Sequence, residues 1–104
     1  MPEPEVSSEN DYSEWSTRIY GRDHTISGRM MAGVRRYIRE GKPPGDFLRA
    51  VICHELFLAI GHADDENREN LPAYCAFFHN HAPADCHGSE EKYKAWIAKH
   101  KVTS

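Results

Sequence analysis

The segment from residue 25 to residue 40 most constrains the fold of this chain, because its apolar residues recur at helical spacing and a turn follows at once. One side of the implied helix is apolar and carries Ile26, Met30, Val34, Tyr37 and Ile38. The opposite side carries Arg29, Arg35, Arg36 and Arg39. Thr25 or Ser27 can cap its start, and Gly41 before two prolines can end it. The pattern predicts an amphipathic helix with a basic outer face.

A second helix is predicted after the turn at residues 42–45. Asp46 is a plausible N-cap, and the segment from Phe47 to about Gly61 is apolar on nearly all sides of the implied helix. A helix of this kind is normally the buried, central one.

Two further helices complete the expected fold. The first begins at Asp64 or Asp65, or near Asn70 because Pro72 is tolerated only in a first turn, and it ends before Pro83. Its apolar stripe is Leu71, Tyr74, Cys75 and Phe78. The last helix runs from Glu90 to about Lys99. We find no strand-like alternation of useful length, so the expected fold is all-α, with about four short helices packed as a small bundle.

The first 24 residues differ in composition from the rest. Residues 1–14 contain five acidic residues and no basic one, namely Glu3, Glu5, Glu9, Asp11 and Glu14. We therefore expect residues 1–24 to form an acidic flexible tail, with a short helical turn at most in its second half, and residues 25–101 to form the helical domain.

Length and composition predict a single cytoplasmic domain. The chain has 104 residues and a formal net charge of −3, and it contains no apolar run of the ~18 residues that a membrane span needs. The N-terminus has no apolar stretch of the secretory kind. Three cysteines, Cys53, Cys75 and Cys86, cannot all pair within one chain, so we expect them to serve as small buried hydrophobes.

The basic face of the first helix is the main candidate binding surface. Arg29, Arg35, Arg36 and Arg39, extended by Lys42, could bind phosphates or an acidic patch on a partner protein. The plainer alternative is that these side chains only solvate the outside of a bundle. The negative net charge argues against tight, nonspecific nucleic-acid binding, and the acidic tail could fold over this face and compete with a ligand.

His54 and Glu55 are a second candidate, because they are polar residues within the most apolar segment. They resemble the start of the metalloprotease motif His-Glu-x-x-His, but Leu58 occupies the position of the second histidine. Either each finds a hydrogen-bond partner in a gap of the core, or the two contact a ligand or a second subunit.

A zinc-stabilised domain is an alternative that uses Cys75, His79, Cys86 and His87. Against it, the sequence lacks a Cys-x-x-Cys pair, and Cys75 lies on the expected core stripe. We expect no metal and no cofactor. No catalytic arrangement and no glycine-rich phosphate loop can be recognised, so we expect no enzyme activity.

Three segments resemble small proteins of tailed bacteriophages. They are the run from Val34 to Val51, with its Pro-x-x-Phe-Leu-x-Ala-Val pattern, the Ala-Asp-x-x-Asn pattern at residues 63–67, and the Gly-Ser and Trp pattern within residues 83–97. The chain departs from that group at His54 and Glu55, where an Asn-Asp pair is usual, and at His79, where a tyrosine is usual. The resemblance implies a phage accessory role in the host cell and no particular activity.

The sequence therefore predicts a non-enzymatic binding protein that engages a host protein or a small anionic ligand through the first helix and the turn at residues 42–46. A zinc-stabilised domain and a nucleic-acid or nucleotide-binding protein are the alternatives. Apolar surface left over from four short helices could also support a homodimer.

Overall fold

The computed structural model describes residues 12–103. Two strands come first, β1 (Trp15–Ile19) and β2 (Arg22–Ile26). Six helices follow, α1 (Gly28–Glu40), α2 (Asp46–Ile52), α3 (Leu56–His62), α4 (Asp65–Glu69), α5 (Leu71–His81) and α6 (Glu90–Thr103), with a 3₁₀ turn (Ala84–Cys86) before the last. No helix in this range is both long and apolar enough to cross a membrane.

The expectation of an all-α fold is wrong at the N-terminal side, where the two strands pair as an antiparallel hairpin from Trp15 opposite Ile26 to Ile19 opposite Arg22. The hairpin occupies residues 15–24 of the segment that we expected to be a flexible tail, and it replaces the helical turn expected there. Tyr20 and Gly21 form its two-residue turn, both with positive φ, as the tightest hairpin turns require. The acidic residues from Glu3 to Asp11 lie outside the described residues.

The hairpin is held against α5 by specific contacts. The Trp15 ring packs edge-on against Phe77, with ring centroids 5.3 Å apart, and also contacts His81. The backbone N–H of Thr25 donates to Asn70 Oδ1 at 2.9 Å. These contacts explain why two strands too short to be stable alone are retained.

Helix α1 confirms the sequence prediction at both ends. The Ser27 side chain accepts from the Met30 N–H, and Gly41 ends the helix in the left-handed conformation, its N–H donating to the Tyr37 carbonyl. The apolar side is buried, most deeply at Met31, Val34 and Tyr37. It packs against α6, where the Trp96 indole N–H donates to the same Tyr37 carbonyl at 3.0 Å.

The long central helix is not formed, and this expectation is wrong. Helix α2 ends at Ile52 and a separate helix α3 begins at Leu56. Helix α2 is buried at Phe47, Leu48 and three further apolar residues, as expected of a central element. Helix α3 buries only Ala59. The break therefore turns half of an apparently buried helix out to the surface.

The remaining helices follow the predicted order, except that the predicted third helix is divided into α4 and α5. Asp64 caps the short α4 by accepting from the Asn67 N–H, and α5 begins at Leu71 with Pro72 in its first turn. Ser89 accepts from the Lys92 N–H at the start of α6. The core joins these helices to α1 and α2 through the large buried residues Tyr37, Phe47, Tyr74, Phe78, Tyr93 and Trp96.

Candidate functional site

The break between α2 and α3 is a regular helix-ending turn with an unusual residue in it. The Glu55 N–H donates to the Ala50 carbonyl at 2.9 Å, and the His54 N–H donates to the Val51 carbonyl at 3.1 Å. These two hydrogen bonds define the Schellman motif, in which the residue with left-handed backbone conformation is usually glycine. Here His54 holds that position with a φ of 62°. A strained non-glycine residue suggests that its side chain has a role.

The His54 ring meets a second histidine. His54 Nε2 lies 3.0 Å from His87 Nδ1, and the ring centroids are 5.1 Å apart. One of these nitrogens must carry a hydrogen and the other must accept it, so the contact needs at least one neutral ring. His87 is positioned by the chain just before α6, where the Gly88 N–H donates to the Ile52 carbonyl at 2.8 Å.

The histidine pair lies in an open cleft of about 260 Å³ between α2, α3 and α5. Most of its lining is apolar, from Ala50, Val51, Leu56, Ala59, Leu71 and Phe78. The polar lining consists of His54, Glu55, Cys75, His79 and His87. An apolar cleft with a few convergent polar groups is the usual form of a binding site.

An exposed apolar surface adjoins this cleft. We call it the α3 surface, and it consists of Leu56, Phe57, Leu58 and Ile60. Phe57 is 89% exposed, and the other three are 38–56% exposed. Single exposed apolar residues are common, but four large ones on one seven-residue helix are typical of an interaction site.

Carboxylates border the α3 surface. A second cleft, of about 290 Å³, is lined on the other side of α3 by Asp46, Glu55 and Glu90, with Arg49 as its only arginine. Arg49 pairs with Glu90 at 3.1 Å. Helix α4 and its N-cap residue, Asp64, follow α3 and expose four more carboxylates, those of Asp64, Asp65, Glu66 and Glu69. Arg68 also lies at the end of α3, where its guanidinium donates to the Ala63 carbonyl at 3.2 Å and pairs with Asp65 at 3.6 Å. Around the apolar surface, carboxylates therefore outnumber arginines.

The left-handed conformation at His54 gives a testable effect on stability. We expect His54→Gly to unfold at higher denaturant than His54→Ala, with a difference of about 1–2 kcal/mol in the free energy of unfolding. Both variants lose the ring, and only alanine keeps the strain of a Cβ at positive φ. Equal stabilities in urea unfolding would show that residue 54 is not left-handed in solution.

The histidine pair also predicts a pH dependence. Burial, and then the positive charges of His54, Lys92 and His79, lower the pKa of His87 below its ordinary value of 6.5. The unfolded chain therefore binds this proton more readily than the folded chain does. The stabilising contribution is complete above pH 6.5 and is lost as the pH falls through the lowered pKa.

We expect the melting temperature to fall with pH less steeply in His87→Gln than in the unaltered chain, between about pH 7 and pH 5. Glutamine keeps a side chain that can bond to His54 but does not titrate. Identical pH profiles for the two proteins would contradict the assignment of His87 as a group that stays neutral in the fold.

The residues predicted to form a binding site lie in two separate locations, the cleft and the outer face of α1. His54 and Glu55 are exposed and line the cleft, so the interpretation of both as satisfied core groups is wrong. The basic face lies along α1, where Arg29, Arg39 and Lys42 are exposed and Arg35 and Arg36 are half-buried. Arg35 donates to the Ser13 carbonyl at 2.9 Å.

The four residues of the zinc alternative do not form a site. Cys86 is fully buried, whereas Cys75 is exposed, so the placement of Cys75 on the core stripe is wrong. Burial of Cys53 and Cys86 confirms the prediction for those two cysteines. Within residues 12–103, no group of three or more His, Cys, Asp or Glu side chains is arranged to hold a metal ion.

The chain matches no protein-family model, no curated protein and no solved structure. The resemblance to small phage proteins therefore stays a prediction. Any functional assignment depends on the geometry of the cleft and of the surfaces beside it.

Proposed function

We propose that this chain is a binding protein whose α3 surface and adjoining cleft accept a segment of a partner protein. The observation that carries the proposal is the exposure of Leu56, Phe57, Leu58 and Ile60 on one short helix beside an open apolar cleft. The carboxylates around the α3 surface favour a partner segment that carries positive charge. An apolar segment bordered by lysine or arginine would fit a surface edged by Glu55, Asp65 and Glu66.

The large exposed side chains of the α3 surface support binding through a few residues. Phe57 and Leu56 would be covered by the partner, and burying one such side chain contributes about 1.5–3 kcal/mol. Residues of this kind, clustered at the centre of an interface with charged residues outside, are typical of binding hot spots. In the accessory role that the phage resemblance implies, the partner would be a host protein.

The test is a selection of random peptides on the immobilised protein. We expect the selected peptides to carry apolar anchors flanked by lysine or arginine and to lose binding to Phe57→Asp. Tyr20→Asp is the matched control, because Tyr20 is a fully exposed aromatic residue in the turn of the hairpin, whose Trp15 packs on Phe77 of α5. Equal binding to Phe57→Asp and Tyr20→Asp would contradict the proposal.

A second candidate is an anionic ligand, or an acidic partner, on the basic face of α1. It is favoured by the exposure of Arg29 and Arg39 on the helix and of Lys42 just after its end. Charge reversal at Arg36 and Arg39 is the cleaner test, since reversal at Arg35 would also break the bond to Ser13. Selected peptides rich in Asp and Glu that lose binding to this variant would favour the second candidate over the first.

A further inference from the structure

We propose that the acidic residues Glu3, Glu5, Glu9 and Asp11 dock onto the basic face of α1 and cover it in the free protein. This face is separate from the α3 surface, so the inference does not depend on which partner that surface binds. The occupant is the N-terminal segment of this same chain.

Residues 12 and 13 lie directly against helix α1. The Tyr12 carbonyl oxygen lies so close to Gly28 that any Cβ at this position would overlap it. The next carbonyl, that of Ser13, accepts from the Arg35 guanidinium at 2.9 Å. At about 100° per residue, Gly28, Arg35 and Arg39 fall within about 40° of one another around α1. The described chain therefore already lies on the basic face where it leads into the acidic segment.

Charge complementarity favours continuation along that face. The segment before Tyr12 contains four carboxylates and no basic residue. Helix α1 carries four arginines, Arg29, Arg35, Arg36 and Arg39, and no acidic residue before Glu40. Arginine binds carboxylates with two parallel hydrogen bonds, which makes this pairing stronger than a contact between point charges.

The segment is also long enough. Nine extended residues, from Glu3 to Asp11, span about 30 Å. The thirteen residues of α1 extend over about 20 Å. The carboxylates can thus reach any arginine on the face. Because the segment is tethered beside it, its effective concentration is on the order of millimolar, which is enough to compete with weak anions from solution.

The experiment is paramagnetic relaxation in the full chain. A spin label is attached at Val6→Cys in a Cys75→Ser background, since Cys75 is the exposed cysteine and Cys53 and Cys86 are buried. We expect the label to reduce the intensities of amide signals along α1 at low salt. In ~1 M salt, where the Debye length is ~3 Å, these signals should recover.

The control carries the same label with Glu3→Gln, Glu5→Gln, Glu9→Gln and Asp11→Asn, which removes the charges and keeps the length. Because Tyr12 and Ser13 already lie on α1, the tethered label will still reduce some α1 signals in this variant, but we expect a smaller loss at low salt than in the charged chain. Signal loss on α1 that is equally large in the charged and neutralised chains, signal loss concentrated on another element, or no localised loss would each overturn the proposal.

Discussion

Replacing Trp96 by alanine should lower the free energy of unfolding by about 3–5 kcal/mol, the largest effect we expect from a single side chain. Trp96 is 8% exposed and joins α6 to α1 through the bond from its indole N–H to the Tyr37 carbonyl. Its removal leaves a cavity between the two helices and deprives that carbonyl of the indole donor. The Tyr37 hydroxyl donates to the buried Cys86 carbonyl at 2.6 Å, so Tyr37 connects the indole of Trp96 to the turn before α6.

Thermal and urea unfolding would measure this effect, with Trp96→Phe as the companion variant. Phenylalanine keeps most of the volume and loses the N–H, so it should cost only the hydrogen bond and a smaller cavity. At ~4–8 °C per kcal/mol for a domain of this size, the two melting temperatures should be well separated. Equal and small losses in both would mean that α6 does not depend on Trp96 to pack on α1.

Gly41→Ala should also destabilise the fold strongly, with a loss of about 2–3 kcal/mol in the free energy of unfolding. Gly41 ends α1 at a φ of 69°, where a side chain is strained. A Cβ there would also lie 2.6 Å from His100 Cβ on α6, so either the turn or the last part of α6 must move. Both effects act at the same α1–α6 contact that Trp96 holds.

Gly61→Ala provides the matched control for this substitution. Gly61 lies within α3, and a Cβ there would meet no atom within 4 Å. Alanine is the better helix former by ~1 kcal/mol, so this variant should be as stable as the unaltered chain or more stable. Similar losses at positions 41 and 61 in urea unfolding would contradict the described end of α1.

Helices α1 and α6 could be predicted because their local signals agree with their packing. Gly41 before two prolines ends α1, and the acidic Glu90 and Glu91 follow a serine cap at the start of α6. The apolar positions of α1 are the ones that pack on the core. In such segments periodicity, caps and burial indicate the same structure, so a single sequence is sufficient.

The hairpin was missed although its signals are present. Each strand has only five residues, and the turn has tyrosine where asparagine or aspartate is the usual partner of glycine. What retains the hairpin is the packing of Trp15 on Phe77 and His81, residues more than sixty positions away. A contact at that separation cannot be read from the local pattern.

The cleft could be predicted only in part. His54 and Glu55 stood out as polar residues in an apolar segment, and both line it. The helix break was missed because no glycine or proline marks it, and His54 takes the left-handed position instead. Without that break, the residues of the α3 surface were interpreted as core. The sequence indicates His87 only as a candidate metal ligand, because its approach to His54 depends on how the chain before α6 packs.

The most direct test of the central proposal is to locate where a selected peptide binds, by following backbone amide shifts of the labelled protein during a titration. We expect shifts concentrated in residues 54–62 and in the part of α5 that lines the cleft, with little change along α1. Shifts concentrated in residues 29–42, with none around Phe57, would contradict it and would assign binding to the basic face.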